Sequence, residues 1–306
     1  MTSSSLDIQI PHLSTTTLTK LVDYTISFSA ANGLQVQLQK SQSPANNNNN
    51  DKGTSSYITA PISLLPQAYP STQYQHGIAL SAPFNLLVDR TSRNPTFLQG
   101  ALHDVRDVDE FTGKLLQLYE EIYVHDGNDD GRGKFARSAD RLGILRSDYM
   151  LHSSSSTEDE KSGYSIQQVE LNTIASSFAG LASSVAKLHT FLTRRMGEEG
   201  LEEFLSVNER AVMGDVADGT DTMKKGVPES MAMTRLPAAM AVAYNRYCDK
   251  FDVTKDGSSS STSSSTVKPV IVFVVQPNET NTVDQRLLEF ALWENHEIPV
   301  VRMSLD

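Results

Sequence analysis

Two side chains in the stretch VELNTIASSFAGL (Val169–Leu181) have types and spacing that suit metal chemistry. The stretch opens as a strand, and successive side chains along a strand point to opposite faces. Val169, Leu171 and Thr173 therefore share one face. Glu170 and Asn172 share the other, with their Cα atoms about 6–7 Å apart. Both end in oxygen, and magnesium takes oxygen ligands, often only one or two from protein with phosphate oxygens completing the shell. The same pattern also suits the solvent-facing side of an amphipathic strand, so spacing alone leaves both readings open.

After Asn172 comes a run of small residues, TIASSFAGLASS, passing from strand into helix. Small side chains let a ligand approach the backbone, and N–H groups at a helix N-terminus attract anions. A plain turn with Ser as N-cap is the simpler alternative. Upstream, GILRSDYML reads as a strand entering a hairpin whose tip is SSSSTEDEKSG and whose return strand is YSIQQVELNT. Arg146, Asp148 and His152 share one parity, and antiparallel pairing brings Arg146 or Asp148 toward Glu170 and Asn172. The planar guanidinium of Arg146 suits a carboxylate or phosphate; an ion pair with Asp148 is the competing use. A third group lies in QPNETNTVDQR, after an apolar strand, where ligands of open α/β sheets bind. There Glu279 can accept from an ammonium, while Asn281 and Gln285 can fix a ligand backbone. Capping by Asn281 or Thr282, with Asp284 on the helix dipole, is the alternative. The histidines show no metal-ligand spacing, and His189, beside Leu188 on a helix, reads as packed. No nucleophilic triad, Walker-type loop or GxGxxG motif is present.

Helices and strands must hold these groups in place. DVDEFTGKLLQLYEEIYVH puts Val108, Phe111, Leu115, Leu118, Tyr119 and Ile122 on one helical face, with Asp107 or Asp109 at its start. SFAGLASSVAKLHTFL gives a stripe of Phe178, Leu181, Val185, Leu188 and Leu192. LPAAMAVAYNRYC gives Leu236, Met240, Ala243, Tyr244 and Tyr247. Leu18, Leu21 and Val22 open an N-terminal helix that Asn32-Gly33 stops. PVIVFVV (Pro269–Val275) is continuously apolar, as for a strand buried on both faces. The helix NTVDQRLLEFALWEN and the strand IPVVRMSL come next, predicting a parallel β-α-β unit with a right-handed crossover. Two strands and one helix do not make a domain, so this unit is expected to need further chain or a partner segment.

The fold class expected is α/β (α+β), helix-rich over residues 1–267, with an incomplete α/β segment over 268–306. Residues 41–56, 153–163 and 255–266 are low-complexity insertions that cannot bury apolar surface. His125–Lys134 is a similar insertion; its Asp126, Asp129 and Asp130 lack the spacing and closing Glu of a calcium loop. The 306 residues carry a net charge of −11 and are 39% hydrophobic, enough for a core without staples. That charge, without a basic cluster, excludes a general nucleic-acid binder. No apolar run approaches the ~20 residues of a membrane span. The lone Cys248 excludes an internal disulfide, favours a reducing compartment, and reads as a small buried side chain. The Ser/Thr-rich start lacks the basic and apolar regions of a secretory signal; an organellar address is open, though Asp7 and the lack of Arg oppose it.

Four stretches, PFNLLVD (Pro83–Asp89), LRSDYM (Leu145–Met150), QVELNTIASSFAGLAS (Gln168–Ser183) and NTVDQRLLE (Asn281–Glu289), resemble in order and approximate spacing the N-terminal half of eukaryotic-type glutathione synthetase, an ATP-grasp-like ligase. The resemblance covers about Leu13 to Asp306 and is most specific at Glu-Leu-Asn-Thr-Ile. It implies ATP-dependent joining of γ-glutamylcysteine to glycine through an acyl phosphate, with magnesium, in a cytoplasmic homodimer that binds neither nucleic acid nor membrane. By position it implies Glu170 and Asn172 as magnesium ligands, with Glu170 also near ATP. It implies Arg146, Ile174, Ala175, Ser176, Ser177, Glu279, Thr280, Asn281 and Gln285 as substrate contacts, those at 174–177 made largely by backbone. No residue is implied as acid or base. Ala175 stands where the family usually has Ser, and Thr280 where some relatives have a basic residue. The family's arginine–aspartate–glycine–tyrosine motif, glycine-rich lid, adenine pocket and further metal carboxylate have no counterpart in these residues. Little or no ligase activity is therefore expected of this chain alone. A non-catalytic binding or dimerisation module on the same scaffold is the alternative.

Overall fold

A computed structural model describes residues 13–38, 56–67, 69–123, 140–153, 164–196, 227–251, 269–277 and 279–304. The expected insertions at 125–134 and 255–266, and most of those at 41–56 and 153–163, lie outside them. Seven helices and six strands are described: α1 (Thr15–Ala31), β1 (Gln35–Gln37), β2 (Tyr57–Thr59), α2 (Ser71–Ser92), α3 (Pro95–Arg106), α4 (Glu110–Tyr123), β3 (Arg146–Ser153), β4 (Tyr164–Asn172), α5 (Ala179–Met196), α6 (Ala232–Lys250), β5 (Ile271–Val274), α7 (Thr282–His296) and β6 (Val300–Met303). The strands form three two-stranded sheets, β1–β2, β3–β4 and β5–β6. No described helix is long and apolar enough to cross a membrane. The chain groups into two compact units, one of Met1–Thr72 with Ser177–Asp306 and one of Gln73–Ser176.

In the first unit, α1 starts where Ser14 accepts from the Thr17 N–H at 3.1 Å. It ends at Asn32-Gly33, with Gly33 at φ 70°, a left-handed turn that glycine makes without steric cost. Leu21, Leu34, Leu181, Leu188 and Leu192 form the core, with Val185 and Phe191 packed against it. The stripe read on α5 is therefore the buried one, except for Phe178. That residue lies before the helix at φ 74° and is half exposed. His189 is buried with Nε2 3.0 Å from the Ser63 carbonyl, a packed histidine. On α6, Met240 and Cys248 are buried, while Tyr247 is exposed and packs against Phe251 instead.

β5 and β6 pair in parallel, Ile271 with Val300 through Val274 with Met303, and α7 is their crossover. α7 packs on α5, α6 and β1. The expectation that Pro269–Val275 is buried on both faces fails. Val272 and Val274, and Val301 and Met303 opposite them, are exposed. α7 covers only the other face, and among the described residues these two strands pair solely with each other.

In the second unit, α3 and α4 pack as a helical pair, and β3 and β4 form an antiparallel hairpin. Asp109 caps α4, accepting from the Thr112 N–H at 3.1 Å. The face read on α4 is not the packed one. Val108 is 83% and Phe111 74% exposed, Leu115 and Leu118 about half, whereas Leu116 is buried. Periodicity states which residues share a face. It does not state which side a neighbour takes, and α3 takes the side where Glu120 receives Gln99.

Candidate functional site

The β3–β4 ladder sets Arg146 opposite Asn172 and Asp148 opposite Glu170, as the hairpin reading requires. The register then shifts, so that Asp148 and Tyr149 face Glu170 and Gln168 with Val169 left over as a bulge. Val169 is exposed there rather than buried. Four polar side chains consequently share the open end of the hairpin. Arg146 donates to Asp148 through Nε at 2.8 Å and Nη2 at 2.9 Å, and Nη2 lies 3.6 Å from Glu170 Oε1. Asn172 Nδ2 lies 3.2 Å from Glu170 Oε1, 3.4 Å from Asp148 Oδ2 and 3.3 Å from the Arg146 carbonyl. The Arg146 hydrogen bond holds the Asp148 carboxyl below its ordinary pKa, and the same bond raises the guanidinium. Asp148 was not among the expected site residues, although its parity with Arg146 on β3 was the signal for it.

This donor set fits magnesium in part. Glu170 and Asn172 supply two oxygen-bearing side chains within reach of each other, and magnesium needs no more from protein when phosphate is present. No group of three or more His, Cys, Asp or Glu suited to a metal occurs among the described residues. Asn172 points its amide nitrogen at the carboxylates, so ligation requires that amide to turn over.

Beyond β4, Ile174 is exposed and Ala175 adopts φ 51°, a left-handed conformation rare for a residue with a Cβ. Ser176 Oγ lies 3.1 Å from the carbonyls of both Ile144 and Asn172, tying the loop to the hairpin. Arg146, Glu170, Asn172, Ile174, Ala175 and Ser176 all fall in the Gln73–Ser176 unit.

Ser177, Glu279, Thr280, Asn281 and Gln285 fall in the other unit. Glu279 Oε1 accepts from the Asn281 N–H at 2.7 Å, and the Thr280 carbonyl accepts from the Gln37 N–H of β1 at 2.9 Å. Asn281 stands at the N-cap of α7 but makes no side-chain capping bond, so the capping reading fails for it. Its Oδ1 is buried without a donor in the protein. Thr282 Oγ1 instead lies 2.9 Å from both the Glu279 carbonyl and Gln37 Oε1, its one hydroxyl hydrogen shared between them.

Asp284 does something its position on α7 did not suggest. It is 2% exposed and reaches the start of α5, not its own helix end. Its Oδ2 accepts from the Phe178 N–H at 2.6 Å, and Oδ1 from the N–H groups of Gly180 and Leu181, each at 2.9 Å. A carboxylate on the unpaired donors of a helix start satisfies them and the dipole together. The α5 N-terminus is thus filled by the protein's own anion, and neither a ligand anion nor a Ser cap takes these donors. Gly180 permits the approach: a Cβ there would stand 2.6 Å from Leu287 Cδ1 and 3.0 Å from Leu287 Cβ.

Comparison with known proteins identifies the family of the chain. The family model described as "Eukaryotic glutathione synthase, ATP binding domain" matches residues 15–288. A chloroplastic glutathione synthetase of Solanum lycopersicum is 30% identical over 248 residues, covering 81% of this chain and 36% of that protein. A glutathione synthetase of Dictyostelium discoideum is 30% identical over 288 residues, covering 94% of this chain and 49% of that protein. The chain thus spans about a third to a half of the length of these relatives. A solved glutathione synthetase-like effector from Globodera pallida, in its apo form, superposes with a TM-score of 0.56 at 16% identity, over 98% of this chain and 52% of that one, which supports the fold. With a family match running from α1 into α7, the chain belongs to the eukaryotic glutathione synthases.

Proposed function

We propose that this chain serves the ATP-dependent ligation of γ-glutamylcysteine to glycine. The observation that carries the proposal is the Arg146–Asp148–Glu170–Asn172 cluster at the open end of the hairpin, in a chain of this family. In that reaction the dipeptide's cysteinyl carboxylate takes the γ-phosphoryl group of ATP, and glycine's amine then displaces phosphate from the acyl carbon. Glu170 and Asn172 hold magnesium, which when bound offsets charge on the transferring oxygens. Arg146 exchanges part of its pairing with Asp148 for an anionic group of the substrate. The 174–177 segment offers backbone groups to the dipeptide, and Asn281 Oδ1 meets a ligand N–H that satisfies this buried acceptor. Nothing in this assignment needs a protein acid or base.

Calorimetric titration of magnesium-ATP into the chain tests the metal assignment. Glu170→Gln and Asn172→Ala should each weaken binding about tenfold or more, equivalent to ~1.4 kcal/mol. Affinity unchanged in both variants would end it. A second reading, a binding or self-associating module, draws on the exposed face of Val272, Val274, Val301 and Met303. Sedimentation without ligand separates the two: a dimer that forms while magnesium-ATP fails to bind favours the module, and nucleotide binding favours the ligase. The cytoplasm is the proposed location. The name of the chloroplastic tomato relative makes an organelle the alternative, which a fluorescent fusion resolves.

A further inference from the structure

Arg302 is placed where a charged side chain is costly. It lies on β6 opposite Phe273, on the strand-pair face that also carries Ile271 and Val300, and its side chain is only 16% exposed. That face is the one α7 covers. There the guanidinium meets two residues one helical turn apart, with Nη1 donating to Glu289 Oε1 and Nη2 to Gln285 Oε1. Glu289, 7% exposed, uses its other oxygen to accept from Arg286 Nη1 at 2.6 Å. Glu289 thus supplies the countercharge to buried Arg302, and a second of the five guanidinium donors is spent on a neutral amide.

The consequence lies in the polarity of that amide. Arginine has donors and no acceptor. Gln285 can satisfy it only with its carbonyl oxygen; turned over, its NH₂ would face the guanidinium donor to donor. With Oε1 held against β6, Nε2 and its two hydrogens point away from Arg302. We infer that Arg302 is a positioning residue that turns the Gln285 NH₂ toward ligand, so that Gln285 donates to an oxygen acceptor, a carboxylate or carbonyl. This rests on the proposed reading of Gln285 as a contact to γ-glutamylcysteine. The donor lock itself belongs to the ligand-free chain.

The test uses the whole chain labelled with ¹⁵N, with the Gln285 side-chain amide resonance assigned by its loss in Gln285→Leu. Without ligand, Arg302→Met should move that resonance to the position of a solvated glutamine, and Arg302→Lys should restore it in part. Because Arg302→Met strips buried Glu289 of one of its two arginine partners, the double variant Glu289→Met/Arg302→Met supplies a chain without a half-paired buried carboxylate. An amide resonance unmoved in a folded variant overturns the inference. Binding of γ-glutamylcysteine gives the second arm. Arg302→Met and Gln285→Leu should each weaken it about tenfold, and the two together no more than either alone. Additive losses would show Arg302 acting on the fold rather than through Gln285. Failure of the unaltered chain to bind the dipeptide removes the substrate reading, and the amide resonance then decides the donor lock by itself.

Discussion

Asp148 shows how one side chain sets the state of its neighbours. It holds the Arg146 fork and lies within hydrogen-bond reach of Asn172, and in return its carboxyl is kept below the usual carboxylate range. A depressed carboxylate contributes stability that is complete above the unfolded pKa, ~3.9, and is lost as pH falls through the folded value. The loss attributable to Asp148 therefore falls below about pH 4. Asp109 is depressed too, chiefly by its hydrogen bonds with Thr112, so it titrates in the same window. Subtraction isolates Asp148. The difference in urea midpoint between the unaltered chain and Asp148→Asn should be constant above about pH 5 and shrink toward zero in stronger acid. A difference that persists undiminished at low pH would show that the charge of Asp148 is not what stabilises the hairpin. That the hairpin brings Arg146 or Asp148 toward Glu170 and Asn172 was legible in the sequence, because strand alternation and one connecting loop imply it; the register that sets Arg146 opposite Asn172 was not. Which oxygen each donor chose was not, since the bulge at Val169 resets the alternation beyond that point.

At the scale of elements, the join between α5 and α7 matters most. Asp284 fills the start of α5, and Gly180 lets Leu287 come close, so Ser177 is fixed relative to Asn281 and Gln285. Asp284→Ala should destabilise the chain by ~2–3 kcal/mol, as for losing a cap and leaving buried donors unmet. Gly180→Ala should cost ~1–3 kcal/mol by overpacking, and Leu287→Ala in the same chain should return part of it. Chemical denaturation measures both. Changes below about 0.5 kcal/mol would place the two helices in looser contact than the structure shows. The start of α5 was legible as a strand-to-helix transition. Its cap was not, because Phe178 and Asp284 stand 106 residues apart and no local pattern links them.

For the whole molecule, two compact units divide the expected contacts between them, hairpin residues in one and α7 residues in the other. The chain also spans only 36% of the tomato relative and 49% of the Dictyostelium one. The family's glycine-rich lid and arginine–aspartate–glycine–tyrosine motif are not among its 306 residues. Supplied with ATP, magnesium, γ-glutamylcysteine and glycine, this chain by itself is expected to form no glutathione above background in a coupled ADP-release assay. Sustained turnover would show that these residues suffice for the reaction.

By itself the sequence determined what depends on neighbours along the chain: the helix stop at Asn32-Gly33, the β3–β4 pairing, the parallel order of β5 and β6, and a core-forming stripe on α5. Each arises from backbone geometry acting over one turn or one hairpin, or from chirality acting over one crossover. Only the tertiary structure decided which faces are covered. It left Val108 and Phe111 exposed beside a buried Leu116, and opened one side of β5 and β6. It also turned Asp284 from its own helix to another and set Arg302 against Gln285. These outcomes depend on groups far apart in the chain meeting in a low-dielectric interior, where an unpaired donor or charge is costly and its partner is whichever element packs there.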